Sequence, residues 1–327
     1  MARPLLLAVL ALAAVALALA SLTLGPAPLP LGRIAAVLAG GGDTTARTIV
    51  LDLRLPRAIV GLAVGAMLGT AGAALQGYLR NPLAEPGVLG ASPAAALGAV
   101  IALFFGFAGA HPLLLPAFAI MGAVAALVPL LWLAGESPLG LILAGVAISS
   151  LAAAGVALAL NLAPNPFALA EIATWLMGSL EDRSFADVAV TLPCTFIGMG
   201  LLLGQGRALD GLALGEDGAR ALGVRISRVR LVTAAGTAIG VGGAVAAAGA
   251  IGFVGLVVPH LVRPLTDRAP SSVLLTSALA GAALLVAADI GVRLIPSPTE
   301  LRLGVVTAFL GVPVFLYYLR RERRLWS

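Results

Sequence analysis

The sequence predicts an all-α polytopic membrane protein, about ten transmembrane helices in two inverted-repeat-like halves, forming a single transmembrane domain over residues 1–327. Three observations carry this. Of the 327 residues, 60% are hydrophobic and only 11% charged, against roughly half and about a quarter in a soluble domain. Charge-free runs recur along the whole chain, and about 20 mostly apolar residues suffice to cross a bilayer. The arginines gather in alternate loops. A chain this apolar cannot cover a water-facing surface, which excludes a soluble enzyme or a nucleic-acid binder.

Taken in order, the charge-free runs are 4–32, 58–79, 86–135, 137–170, 188–206, 231–262, 269–288 and 303–319. The first, Leu5 to Leu24, carries Ala18-Leu19-Ala20, which looks like a cleavage site. It is longer than the 7–15 residues usual in a signal h-region, so a retained helix is expected. The run from Pro86 to Gly135 must hold two helices, broken near Gly106–Pro112. The run from Leu231 to Val262 holds a full helix to about Ala250 and a shorter piece from Ile251 to the Pro259-His260 step. The sum is nine full spans and one short or broken one.

With ten spans and an inner N-terminus, thirteen of the 20 arginines fall on the cytoplasmic side and seven outside, with Arg320-Arg321-Glu322-Arg323-Arg324 as the strongest anchor. Both termini are therefore expected in the cytoplasm. Small residues recur at helical spacing, Gly61, Gly65, Gly69, Ala73 and Gly77 on the second helix and Gly236, Gly240, Ala244 and Ala248 on the seventh. In lipid, close backbone approach through such residues drives helix packing. Each of the two helices leads into a Gly/Pro-rich break, 81–87 and 252–260, and they run in opposite senses. Interrupted helices at matching places in inverted repeats point to transporters.

The chemistry the chain lacks is as informative. All 20 basic residues are Arg; there is no Lys. That excludes a P-loop, which sets its Lys on the terminal phosphates, and Schiff-base chemistry. Energy from ATP would have to arrive through a partner. Cys194 lies in an apolar run and reads as a packed thiol. No metal cluster or nucleophile–base constellation is apparent, so no cofactor, metal or enzymatic activity is expected. His111 precedes Pro112 in an outer loop, and His260 sits at a helix break, where capping or packing is the ordinary role. Trp132, Trp175 and Trp326 fall near span ends, as interfacial belt residues do. Asp289 is placed to pair with Arg293 one turn on.

Five segments together go further: "LRLPR" at 53–57, "LQGYLRNPLAEPGVLGASPAAALG" at 75–98, "WLMGSL" at 175–180, "GAIGFVGLVVPHLVR" at 249–263 and "ELRLGVVTAFLGVPVFLYYLRR" at 300–321. In this order, over nearly the whole chain, they resemble the permease family of type II ABC importers that carry ferric siderophores, haem and cobalamin, often called the FecCD family. The resemblance implies a homodimer around a central path in the inner membrane, two cytoplasmic ATP-binding subunits and a periplasmic substrate-binding protein.

It also implies roles for particular residues. Arg54, Arg57 and Arg293, at the outer ends of the second and ninth helices, would receive acidic side chains of the docked binding protein. The cytoplasmic segment of about 204–230 would seat in a groove of the ATPase, through Leu214, Gly215, Glu216, Ala219, Arg220, Leu222, Gly223 and Val224. Within it, 214–230 reads as two short helices joined at Gly223, with Glu216 and Asp217 at the favourable N-terminus of the first. Ser137, Pro138 and Leu139 would lie near the cytoplasmic gate, and the element from Glu171 to Leu180 would line the outer vestibule. The rival class, a secondary transporter driven by an ion gradient, would need ionisable residues inside the spans, and these hold almost none.

Overall fold

Inside a bilayer, backbone N–H and C=O groups have no water to bond and must satisfy one another, so a spanning chain this apolar has little choice but helix. The computed structural model describes residues 3–25, 27–135, 137–297 and 299–323, with side chains through residue 316. Among them there is no strand.

Helix α1 (Arg3–Thr23) is followed by the short α2 (Leu31–Leu38) and α3 (Thr44–Arg47). α3 runs without a break through a π-helical stretch, Thr48–Arg54, into α4 (Leu55–Leu79), a continuous rod of 36 residues. Pro56 has no N–H to return to the preceding turn, and the wider winding lies just before it. Arg80, left-handed at φ 48°, ends the rod. The chain re-enters through a 3-10 turn, Pro86–Leu89, and α5 (Ala91–Phe104), hinged at Gly90 with φ 77°.

Helices α6 (Phe107–Ala110), α7 (Leu114–Ala125) and α8 (Leu127–Ala134) follow, α7 and α8 together making one span. α9 (Pro138–Asn161) and α10 (Pro166–Leu176) are capped by the side chains of Ser137 and Asn165. α11 (Phe185–Leu203) opens on a capping box of Ser184 and Asp187. The short α12 (Gly206–Leu212) and α13 (Glu216–Ala221) precede α14 (Ile226–Ala248). Then come α15 (Val254–Val262), with a 3-10 turn at Arg263–Leu265, α16 (Pro270–Leu294) and α17 (Leu303–Arg323).

Among the described residues, seven helices are long and apolar enough to span a membrane, and four shorter apolar ones accompany them. Both expected breaks are present, at 105–113 and 249–253. Three helices form the interior: buried positions make up 83% of the span through α4, 78% of α14 and 72% of α16, against 17–28% for α1, α7–α8, α9 and α11. The outer four keep an apolar face for lipid or for another protein.

The small-residue stripes explain how the inner three approach. A Cβ on Gly65 or Gly69 would strike the backbone carbonyls of Gly281 and Ser277 in α16, and Gly77 faces Pro270 and Leu209. On α14, Gly236 meets Gly198 and Leu202 of α11, while Gly240 lies against Met67 of α4. The packing role expected of both stripes is what the structure shows. The Gly/Pro-rich segments after α4 and after α14 also meet: Gly255, at the start of α15, lies against Gly72 and Leu68 of α4 and against the Pro86 ring.

Of the tryptophans near span ends, Trp175 packs among α5, α7 and α10 residues. Trp326 lies outside the described residues.

Candidate functional site

The bundle has two polar ends. One, the arginine end, is built from the α1–α2 connection, the start of α4, the end of α16 and the segment before α17. The other, the loop end, is built from the end of α4, α12, α13 and the α15–α16 turn.

At the arginine end, Arg54 spends its guanidinium on the carbonyls left open by the last turn of α1. Nη1 donates to Leu22 O (2.8 Å) and Thr23 O (3.2 Å), and Nη2 donates to Ala27 O. Arg293 does the same from α16: Nη1 donates to Ser21 O (3.1 Å) and Leu24 O (3.0 Å), and Nη2 to Ser21 Oγ (2.6 Å). Its Nε lies 3.2 Å from Asp289 Oδ2, the pair expected one turn apart.

Arg57 holds that same carboxylate from α4, with Nε 3.0 and 3.1 Å from the two oxygens and Nη2 2.7 Å from Oδ1. Its other edge grips Glu300, with Nη1 3.0 Å from Oε2 and Nη2 on Oε1. The three arginines retain 5%, 8% and 8% of their surface exposure. This corrects the expectation that they stand open at an outer mouth. They are brought together as expected, but every one is turned inward onto α1 carbonyls or onto Asp289 and Glu300.

Beside them a polar cleft of about 390 Å³ is lined by Glu171, Trp175, Glu181, Asp182, Arg183 and Arg302, among others. Arg302 pairs with Glu181 at 2.9 Å, and Arg183 donates to Ala247 O at 2.9 Å. α10 and the turn after it, the element read as 171–180, line this cleft.

At the loop end two helices meet at Gly223 (φ 80°) as expected, but only α13 is short: the second is the start of the long α14, and a further short helix, α12, precedes α13 through Gly215 (φ 94°). Sequence reasoning missed α12, although Asp210 was a signal: its Oδ1 accepts the Ser271 N–H at the start of α16 (2.9 Å), tying α12 to the core.

Leu214 and Leu222 are 72% and 66% exposed, two large apolar side chains on a polar loop. Val224 instead packs toward Gly211, and Ala219 is fully buried. Glu216 and Asp217 both pair with Arg220, at 3.2 Å each. Asp267, in the α15–α16 turn, is held below the usual carboxylate range by the Ser272 hydroxyl and then by the Ala269 N–H.

The Ser137–Leu139 step opens α9 at this same end. Ser137 Oγ accepts the Gly140 N–H (3.3 Å), Pro138 occupies the first turn, and Leu139 is exposed. The Ser137 hydroxyl therefore serves as a helix cap. His111 Nδ1 accepts the Leu113 N–H (3.2 Å), and His260 Nδ1 lies 2.8 Å from Leu256 O. Among the described residues no cluster of His, Cys, Asp or Glu is placed to hold a metal ion.

Fold and site together define a polytopic helical membrane protein with interrupted helices at its centre and a shaped polar loop at one end. The chain belongs to the FecCD transport family, whose model matches residues 12–321. It is 38% identical to the ferric enterobactin transport system permease of Escherichia coli, over 90% of this chain and 89% of that one. It is 42% identical to the vitamin B12 import system permease of Vibrio cholerae, over 84% and 83%. A solved structure titled as an inward-facing conformation of a metal-chelate type ABC transporter superposes with a TM-score of 0.87 at 31% identity, covering 97% of this chain and 99% of that one.

Proposed function

We propose that the chain is the membrane-spanning permease subunit of an ABC importer that moves an iron chelate of the ferric siderophore class into the cytoplasm. In this reading two copies form the path, two partner subunits hydrolyse ATP at the loop end, and a periplasmic binding protein delivers substrate to the arginine end. The chain itself has no catalytic role. The observation that carries the reading is the segment from α12 to the start of α14. It projects Leu214 and Leu222 on a polar loop, in a chain that has no lysine for a phosphate loop of its own.

The 42% identity to a vitamin B12 permease favours a second cargo, cobalamin. Ser137–Leu139 would act as the gate through the position of the α9 N-terminus rather than through a polar side chain. With the loop end in the cytoplasm, a reporter fused after Ser327 reads as cytoplasmic and one within 27–43 as periplasmic.

The decisive experiment co-expresses the chain with its ATPase and binding protein and follows uptake of labelled ferric siderophore and labelled cobalamin. Leu222→Asp places a charge on the apolar contact. Gly223→Pro demands a negative φ where the backbone has +80° and removes the N–H bonded to Arg220 O. Both are expected to abolish uptake and release the ATPase while the permease still inserts. Full uptake and full ATPase retention in both would defeat the coupling assignment, as expected of an ion-driven transporter.

A further inference from the structure

A cleft of about 280 Å³ opens at the loop end, lined by Arg220, Val224, Arg225, Ile226, Ser227 and Arg230. Half of its lining is arginine. Arg220 is neutralised by Glu216 and Asp217, whereas Arg225 and Arg230 form no ion pair among the described residues. Arg230 is the anomaly. Its Nε and Nη1 are buried and have no hydrogen-bond partner, and the neighbouring Tyr78 hydroxyl at the end of α4 is also buried without one. Arg230 as a whole is half-buried and lines the cleft, but its buried, unpaired nitrogens oppose folding, because that part of the charge has left water and gained nothing in exchange. The arginine end shows what this chain does with a buried guanidinium when it stabilises the subunit: carbonyls and carboxylates surround it.

We propose that this cleft is a receptor for a carboxylate side chain of the ATPase subunit, which enters to pair with Arg230. The inference rests on the reading of α12–α13 as the coupling contact. Three observations favour a protein carboxylate over a lipid phosphate. The cleft lies where α4 ends and α14 begins, and these are the two most buried of the long helices. Exposed Leu214 and Leu222 belong to the same loop and give a protein partner an apolar seat next to it. A second cleft of about 460 Å³ shares Val224 and Arg225 and adds Arg207 and Arg228, so the two clefts together are basic and complement an acidic partner. Arg225, which is exposed, would steer the encounter; Arg230 would hold the complex.

The test uses Arg230→Met, close in volume and uncharged, on the purified permease and on the complex. Two results are expected together: a higher unfolding temperature for the permease alone in detergent, and at least about tenfold weaker binding of the ATPase, as for the loss of a buried charge pair. Arg230→Lys should restore part of the affinity. Arg225→Gln, at an exposed position that folding does not depend on, should slow association and flatten its salt dependence.

A lower unfolding temperature for Arg230→Met would reveal a partner within the chain and overturn the proposal. So would unchanged ATPase affinity. So would stabilisation of the wild type by phosphatidylglycerol micelles that Arg230→Met abolishes, which would make the occupant a lipid headgroup. If the wild-type permease fails to bind the ATPase at all, the coupling reading itself falls. If wild type and Arg230→Met bind equally, only this inference does.

Discussion

Two clusters of arginine sit at opposite ends of the same helical core, and they are built on opposite principles. Arg54, Arg57 and Arg293 are buried with nearly every donor engaged by α1 carbonyls, Asp289 and Glu300. Arg225 and Arg230 meet no carboxylate among the described residues, and two nitrogens of Arg230 are buried with no acceptor. The first cluster completes the subunit by itself. The second is complete only with something added. The first cluster is buried and the second is half-buried to exposed; satisfaction of the buried nitrogens is what separates a structural site from a receptive one.

The comparison can be broken most forcefully at its closed end. Asp289 serves both Arg57 and Arg293, so Asp289→Asn removes the charge that compensates two buried guanidiniums. Breaking a buried pair from one side costs about 3–5 kcal/mol. The expected outcome is a permease that unfolds at a much lower temperature in detergent and accumulates poorly in the membrane.

Glu300→Gln is a finer probe of the same end. Glu300 lies on the segment before α17 and holds only one edge of Arg57. Losing this charged hydrogen bond should cost about 1.5–3 kcal/mol. If a binding-protein carboxylate takes the place of Glu300 on docking, the variant should also associate faster with that protein, measured at low salt. Unchanged association would leave Arg57 a purely internal strut.

The smallest effect is expected from Arg220→Gln at the open end. The Arg220 side chain is 56% exposed and its partners are one turn away, so the pairs should contribute less than about 1 kcal/mol. A double-mutant cycle with Glu216→Gln in the isolated permease should return a coupling near zero.

The inner helices were legible in the sequence because lipid leaves backbone contact as the main means of close packing, and the Gly61–Gly77 and Gly236–Ala248 stripes state that contact at helical spacing. The broken span was legible for a similar reason: Gly249 and Gly252 fall in the break at 249–253, while Gly255 and Pro259 lie within the short helix α15 that follows it. The buried state of Arg57 was not. An arginine at a helix end reads as exposed from its neighbours alone, and its partners Asp289 and Glu300 lie 232 and 243 residues away. Nor was α12 foreseen, since a seven-residue helix has too few turns to show a period. Gly223 takes the expected corner, but the second short helix of 214–230 is the first turn of α14.

One consequence follows from α4 carrying Arg57 near one end and Tyr78, beside Arg230, at the other. Its 25 residues span about 37 Å at 1.5 Å per residue. Its flank is locked to α16 where Gly65 and Gly69 meet the carbonyls of Gly281 and Ser277. A rod clamped along its length has no soft joint in which to dissipate a displacement. A tilt or slide imposed where Arg57 sits must reappear at Tyr78 with comparable size, so α4 is a pushrod between the two faces of the membrane, and its glycines are what make it stiff.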